Sequence, residues 1–181
     1  MSTNQTDDVV VLKTQIADIE PVTRMIMQSW LETYVNEEYD VTEDWIKSRM
    51  ESRLTPKAIA ERQQKLVDNM NNPNVGTFVA KNIAGEVVGM TVPYRDSDGK
   101  QQVGALYVDK RYHGKGVAGK LIEKVFEWAN PNEPIYLGVA IYNDRAKAFY
   151  KKWGFKEIIG SEQLHDNKIP EIIMVKEGAK S

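Results

Sequence analysis

Three glycines, Gly114, Gly116 and Gly119, fall within six residues of one another and alternate with Lys115 and Lys120. They lie in Val103–Lys120, VGALYVDKRYHGKGVAGK, between a short apolar run that ends at Asp109 and a stretch where Val117, Ala118, Leu121, Ile122, Val125, Phe126 and Ala129 recur at helical spacing. A strand, a glycine-rich turn and a helix start bring successive backbone N–H groups to one spot, which favours an anion and most often a phosphate. Glycine lets the backbone approach such a ligand closely, Ala118 is small enough to do the same, and Lys115 adds a charge. Further on, Asn143 caps a helix that carries Ala146, Phe149, Tyr150 and Trp153 on one face. Tyr150 can be plain core, but its phenol is a buried proton donor of a kind that phenylalanine lacks.

Two phosphate templates match in letters and fail in chemistry. Gly114, Gly119 and Lys120 satisfy G-x-x-x-x-G-K, but a nucleotide-hydrolysing loop needs a hydroxyl after the lysine to hold magnesium, and Leu121 stands there. Gly114, Gly116 and Gly119 satisfy G-x-G-x-x-G, but a dinucleotide site needs an acid at the end of the next strand. That strand ends Gly138-Val139-Ala140. The turn also follows a hairpin-rich half rather than the first strand of a fold.

The elements that must position this turn can be read along the chain. Met1–Asp8 is expected as a disordered lead-in and Val9–Lys13 as a first strand. Asp18 is set to cap a helix with Pro21 in its first turn and an apolar stripe of Ile19, Val22, Ile26, Trp30 and Leu31. Thr42 caps the next, which carries Trp45, Ile46 and Met50, and Thr55-Pro56 starts a third that runs through Met70. Short strands follow at Val75–Lys81, Glu86–Tyr94 and Gln101–Asp109, with a tight connection at Asn82–Gly85. Beyond the glycine turn come strands at Ile135–Ala140, Phe155–Gly160 and Ile169–Lys176, then a tail, Gly178–Ser181. The pattern predicts one α/β domain over residues 9–177, with helices early, a hairpin-rich middle and two later helices.

Bulk properties narrow the function. The 181 residues are 41% hydrophobic and 28% charged, as expected of a folded globular chain. A net charge of −2 argues against a partner that is nucleic acid. With no cysteine there is no disulfide framework, thiol nucleophile or thiolate metal site, and no metal is expected. The polar N-terminus and the lack of a long apolar run point to a cytoplasmic protein with no membrane partner.

The segment LYVDKRYHGKGVAGKLIEKVFEWA resembles the acetyl-CoA motif of the GCN5-related N-acetyltransferase (GNAT) family, Q/R-x-x-G-x-G/A, with His113, Gly116 and Ala118 at its fixed positions. His113 departs from the usual Gln or Arg. Arg111 offers a second register, which leaves the strand-to-turn spacing two residues short. LGVAIYNDRAKAFYKKWGFKEI resembles the family's later motif through Asn143, Ala146, Phe149, Tyr150, Gly154 and Phe155. The resemblance spans Val75–Lys176, and the closing stretch is more faintly similar to bacterial polyamine acetyltransferases.

That resemblance implies a central mixed, mostly antiparallel sheet of about six to seven strands with helices on both faces. It implies acetyl-CoA as co-substrate, held by Leu106, Tyr107, Val108, His113, Gly114, Lys115, Gly116, Val117, Ala118, Gly119, Asn143 and Tyr150, in a cleft where two strands splay. It implies Tyr150 as the acid that protonates the departing thiolate, and an amine of a small molecule or peptide as acceptor, with a homodimer compatible.

The general base is not supplied by the motif. Relatives carry glutamate where this chain has Gln102 or Gly138, and neither takes a proton at neutral pH. Glu32, Glu37, His165 and Asp166 are the alternatives. Leu31–Ile46 holds Glu32, Glu37, Glu38, Asp40, Glu43 and Asp44 with no lysine or arginine, either as a solvated surface with helix-start charges or as an acidic rim for a cationic amine. The missing carboxylates motivate a rival reading, a weakly catalytic acyl-CoA-binding or regulatory module.

Overall fold

The structure, a computed structural model, describes residues 9–179. The lead-in expected over residues 1–8 and the last two residues of the tail lie outside them. Strand β1 (Val10–Lys13) precedes three helices, α1 (Ile19–Thr33), α2 (Glu43–Glu51) and α3 (Pro56–Asn69). An antiparallel run of β2 (Phe78–Lys81), β3 (Val87–Arg95) and β4 (Gln101–Val108) leads into α4 (Val117–Trp128), β5 (Ile135–Ala140) and α5 (Asp144–Lys152). Short strands β6 (Lys156–Glu157) and β7 (Gln163–His165) and a long β8 (Ile169–Lys176) close the chain.

All eight strands form one sheet in the order β1-β2-β3-β4-β5-β8-β6, with β7 also on β8. The sheet thus has one strand more than the upper end of the expected range. The extra strand is β7, expected as loop: only its pairing with β8 makes Gln163–His165 a strand, because none of its side chains is buried. Two other expectations need correction. Phe155–Gly160 shrinks to two strand residues, and the chain turns away at Ile158, whose carbonyl accepts from the Ser161 hydroxyl. Asp18 makes no side-chain cap to α1; it is buried and ion-paired with Lys81 Nζ at 2.6 Å, while also accepting from the Gln15 amide. Gly178–Ala179, expected as tail, is tied down by the Ala179 amide donating to the Pro131 carbonyl.

Helices cover both faces. Val22 and Met25 of α1 pack on Val79 and Met90, and Trp30 joins Ile46 and Met50 of α2 against Ala140 and Ile169. On the other face Ile122 and Val125 of α4 pack with Leu137, Val139, Tyr150, Phe155 and Met174. Each such buried aliphatic side chain contributes on the order of 1.5–3 kcal/mol, so the periodic stripe of α4 anchors the glycine turn in front of it.

Candidate functional site

The site begins where the sheet comes apart. β4 and β5 run parallel and pair only at Gln101↔Ile135 and Gln102↔Tyr136. Beyond Gln102 they diverge and leave a cleft of about 640 Å³, lined by Val103–Val108 on one side and Gly138 and Val139 on the other. β4 is bulged opposite Pro93: Val92 faces Ala105 and Pro93 faces Val103, so Gly104 is the extra residue. Proline has no N–H to give the ladder, which makes its strand position the natural place for the bulge. Gly104 is required there, because a Cβ would stand 2.5 Å from the Tyr94 ring.

The register fixes which backbone groups are available. The Asp109 amide donates to the Val88 carbonyl, so Val108 opposite Gly89 is a non-hydrogen-bonded pair, and so is Leu106 opposite Thr91. Leu106 and Val108 therefore turn their amide and carbonyl away from β3 and into the cleft.

At the mouth, Gly114 and Gly116 both have positive φ (73° and 79°), and Gly116 is the left-handed residue from which α4 starts without a side-chain cap. No larger residue adopts that backbone without strain; the Lys115 amide donates to the Tyr112 carbonyl, and the first amides of α4 have no intrahelical partner to bond. His113 lines the cleft: its Nε2 donates to the Val108 carbonyl at 2.9 Å, and its Nδ1 accepts from the Arg145 guanidinium of α5. Only the neutral tautomer with the proton on Nε2 satisfies both bonds. Burial, with Arg145 in support, holds its pKa below the usual imidazole value, opposed by the Val108 bond. Arg111 is instead paired with Asp109 at 2.7 Å and is mostly exposed. The structure thus sets His113, in the register chosen from the strand end, against the cleft. Lys115 rests its ammonium 5.3 Å over the Tyr112 ring, and Lys120 donates to the Val9 carbonyl, a stapling role unlike that of a phosphate-binding lysine.

Deeper in, Asn143 caps α5 by accepting from the Ala146 amide at 3.1 Å, and both it and Tyr150 line the cleft. Burial, and secondarily Tyr107, raises the Tyr150 pKa well above that of an ordinary phenol. An aromatic wall closes the α1 face: the Tyr107 hydroxyl accepts from Trp30 Nε1 at 3.0 Å and bonds Tyr34, while the Tyr142 hydroxyl donates to the Tyr34 carbonyl.

The two positions at which the family resemblance implies a glutamate, Gln102 and Gly138, have other tasks here. Gln102 donates to Asp96 at 2.7 Å and so ties down the β3–β4 turn. Gly138 leaves room for Glu171 of β8, whose Oε2 would lie 2.5 Å from a Cβ there. Glu171 sits opposite Ala140 in the β5–β8 ladder and leans over Gly138. Its carboxylate is the only one lining the cleft among the described residues. Sequence reasoning missed it. The available signal was a lone acid in the otherwise apolar IPEIIMV run, but its proximity to Gly138 depends on strand pairing. His165 lines the same end, whereas Glu32, bonded to Gln28, and Glu37, at the start of a short helical turn, are outside the lining. Asp166 is paired with Arg49.

Comparison with known proteins agrees with this geometry. An uncharacterized N-acetyltransferase of Mycobacterium tuberculosis is 30% identical over 122 residues, covering 62% of this chain and 74% of that protein. The fold is similar to the PaiA N-acetyltransferase of Thermoplasma acidophilum in complex with coenzyme A (TM-score 0.73, 20% identity, 93% of this chain and 98% of that one). It is also similar to a Salmonella typhimurium protein solved with acetyl-CoA as its cofactor (TM-score 0.70, 14% identity, 97% and 96%). No helix among the described residues is long and apolar enough to cross a membrane. The acetyltransferase (GNAT) family profile matches residues 23–155, most of the chain, in keeping with the splayed strands and the glycine turn, and the protein belongs to that family of N-acetyltransferases.

Proposed function

We propose that the protein moves the acetyl group of acetyl-CoA directly to a primary amine of a small molecule or peptide, with both reactants held in the one cleft. The observation that carries this reading is the divergence of β4 from β5, which opens a backbone-lined slot between the glycine turn and Tyr150. Bound there, acetyl-CoA supplies an acyl group already activated as a thioester. The chain fits such a group. The unpaired amides at the start of α4, reached through the glycine turn Gly114–Gly119, suit a pyrophosphate, with Lys115 adding charge from the flank. The free amide and carbonyl of Leu106 suit the amides of a pantetheine arm, Tyr107 and Val117 wall it, and Asn143 fixes the α5 start beside it.

Tyr150 gives its phenolic proton to the departing thiolate; its raised pKa keeps that proton in place at neutral pH until it is needed. On the acceptor side Glu32 and Glu37 contribute to an acidic rim that draws in a cationic amine, although Asp40 and Glu43 of the same stretch are already paired with Lys168 and Lys47. The reading sets the reaction in the cytoplasm and needs neither nucleic acid nor a metal. The rival, an acyl-CoA-binding module, is favoured by the lack of a carboxylate at Gln102 and Gly138.

A screen of primary amines, spermidine among them, for free-thiol release from acetyl-CoA separates the two. Acetyl transfer predicts amine-dependent thiol and an acetylated amine by mass spectrometry. Saturable acetyl-CoA binding without thiol release on any amine selects the rival.

A further inference from the structure

We infer that Glu171 is the group that takes the proton from the incoming ammonium, and that His165 carries this proton on to solvent. The inference rests on the amine-acetylation reading and supplies the base that its motifs leave out.

Elimination among the groups that line the cleft leaves this pair. An amine arrives at neutral pH as an ammonium and must lose a proton before its nitrogen can attack. The acceptor must line the cleft, which excludes Glu32, Glu37 and Asp96. The five lining tyrosines, Tyr34, Tyr94, Tyr107, Tyr112 and Tyr150, offer phenols rather than a carboxylate or imidazole, and burial raises Tyr34, Tyr107 and Tyr150. His113 is committed on both ring nitrogens, to the Val108 carbonyl and to Arg145. Gln102 is an amide engaged by Asp96. Glu171 and His165 remain.

These two are neighbours with different exposure. His165 Nδ1 lies 3.9 Å from Glu171 Oε1, and its Nε2 lies 3.3 Å from Asp166 Oδ2. The Glu171 side chain is 12% exposed, whereas that of His165 is 45% exposed. The carboxylate is therefore the inner member, and the imidazole is its link to water. At 3.9 Å the pair stands just beyond hydrogen-bond reach, and the proton step calls for a side-chain rotation that closes the gap.

The groups facing Glu171 come from every element around it: His165 and Gln163 of β7, Asp166 of the following turn, Tyr34 just after α1, Tyr107 of β4 and Tyr142 after β5. Burial raises its pKa above the usual carboxylate value, helped by Asp166 and opposed by His165 and Gln163. A base with a raised pKa is a stronger proton acceptor at neutral pH and loses its working form as pH falls through that value.

The protons balance as R-NH3+ + CH3CO-SCoA → R-NH-COCH3 + CoA-SH + H+. The first ammonium proton passes to Glu171 and leaves through His165. The C–N bond then forms and the C–S bond breaks. Tyr150 gives its proton to the thiolate, and the second nitrogen proton restores Tyr150 as the amide forms.

The test combines turnover with a readout that needs no turnover. Glu171→Gln, nearly isosteric, should lower kcat/KM about a hundredfold and abolish the acidic limb of its pH profile, with acetyl-CoA affinity by calorimetry kept within twofold. His165→Gln should cost less, and added imidazole should restore its rate. In the wild-type protein without ligands, the Glu171 carboxyl carbon, followed by 13C NMR, should titrate above the ordinary glutamate range of about 4.3. Three results overturn the inference: an ordinary titration midpoint, a Glu171→Gln enzyme that keeps its turnover and acidic limb, or a His165→Gln loss larger than that of Glu171→Gln. A wild-type protein that releases no thiol overturns the acetyl-transfer reading and this inference with it, whereas an ordinary carboxyl titration in a protein that does release thiol overturns this inference alone.

Discussion

The two ends of the cleft are assembled differently. At the cofactor end the geometry comes from consecutive residues: His113 to Val117 place two left-handed glycines against the first turn of α4, whose apolar stripe holds them there. At the acceptor end nothing is consecutive. Trp30 comes from α1 and Tyr34 from its C-terminal cap, Tyr107 from β4, Gly138 from β5, His165 from β7 and Glu171 from β8, and they meet only because five elements dock. A phosphate can be held by backbone geometry that one short segment dictates, whereas a proton acceptor needs a particular side chain in a particular desolvated place. Many combinations of strands can supply that side chain, so the cofactor end is a motif and the acceptor end is an arrangement.

If this division is right, damage at each end should appear in a different parameter. The largest effect is expected for Tyr150→Phe, which removes the proposed proton donor and keeps the ring: turnover should fall about a hundredfold, while the calorimetric affinity for acetyl-CoA stays within twofold. Unchanged turnover would remove Tyr150 from the mechanism. Gly138→Ala comes next. Its methyl would stand 2.5 Å from Glu171 Oε2 and must push the carboxylate aside, so steady-state kinetics should show kcat lowered about tenfold with acetyl-CoA binding preserved.

Arg145→Ala acts at the other end and should weaken acetyl-CoA binding a few-fold, read by calorimetry. It also carries a titration signature. Burial and then the Arg145 charge hold His113 below the ordinary imidazole value, so removing that charge should move its NMR titration upward. The sign for stability follows from the same shift: a histidine depressed in the fold costs stability as pH falls through the ordinary imidazole value, and thermal melts of the wild type should show that loss more steeply than those of Arg145→Ala. The smallest effect is expected at the rim. Neutralising Glu37 and Glu38 together should raise KM for spermidine about twofold to threefold at low salt, and added salt should erase the difference.

The same division decides what the sequence reveals. The expected positions of α4, α5 and the glycine turn agree with the structure because helical periodicity, Asn143 as a cap and glycine at positive φ are local properties. The divergence of β4 from β5 came from family resemblance, since no residue pattern marks a pair of strands that stops pairing after Gln102. Glu171 stayed hidden although its letter is conspicuous in an apolar strand, because its meaning lies in the β5–β8 register and in the side chain that Gly138 lacks. His165 reads as an exposed loop residue until β7 is paired with β8. Acidic density in Leu31–Ile46 marks out Glu32 and Glu37, and neither is among the residues that line the cleft.

The most direct measurement of the central claim, that the two ends are separable, is a calorimetric titration with acetyl-CoA, without amine, of Gly116→Val and Glu171→Gln side by side. A branched side chain at φ +79° cannot keep the turn, so Gly116→Val should lose at least about tenfold in affinity, while Glu171→Gln should bind as the wild type does. Equal losses in the two variants, or a loss confined to Glu171→Gln, would contradict it.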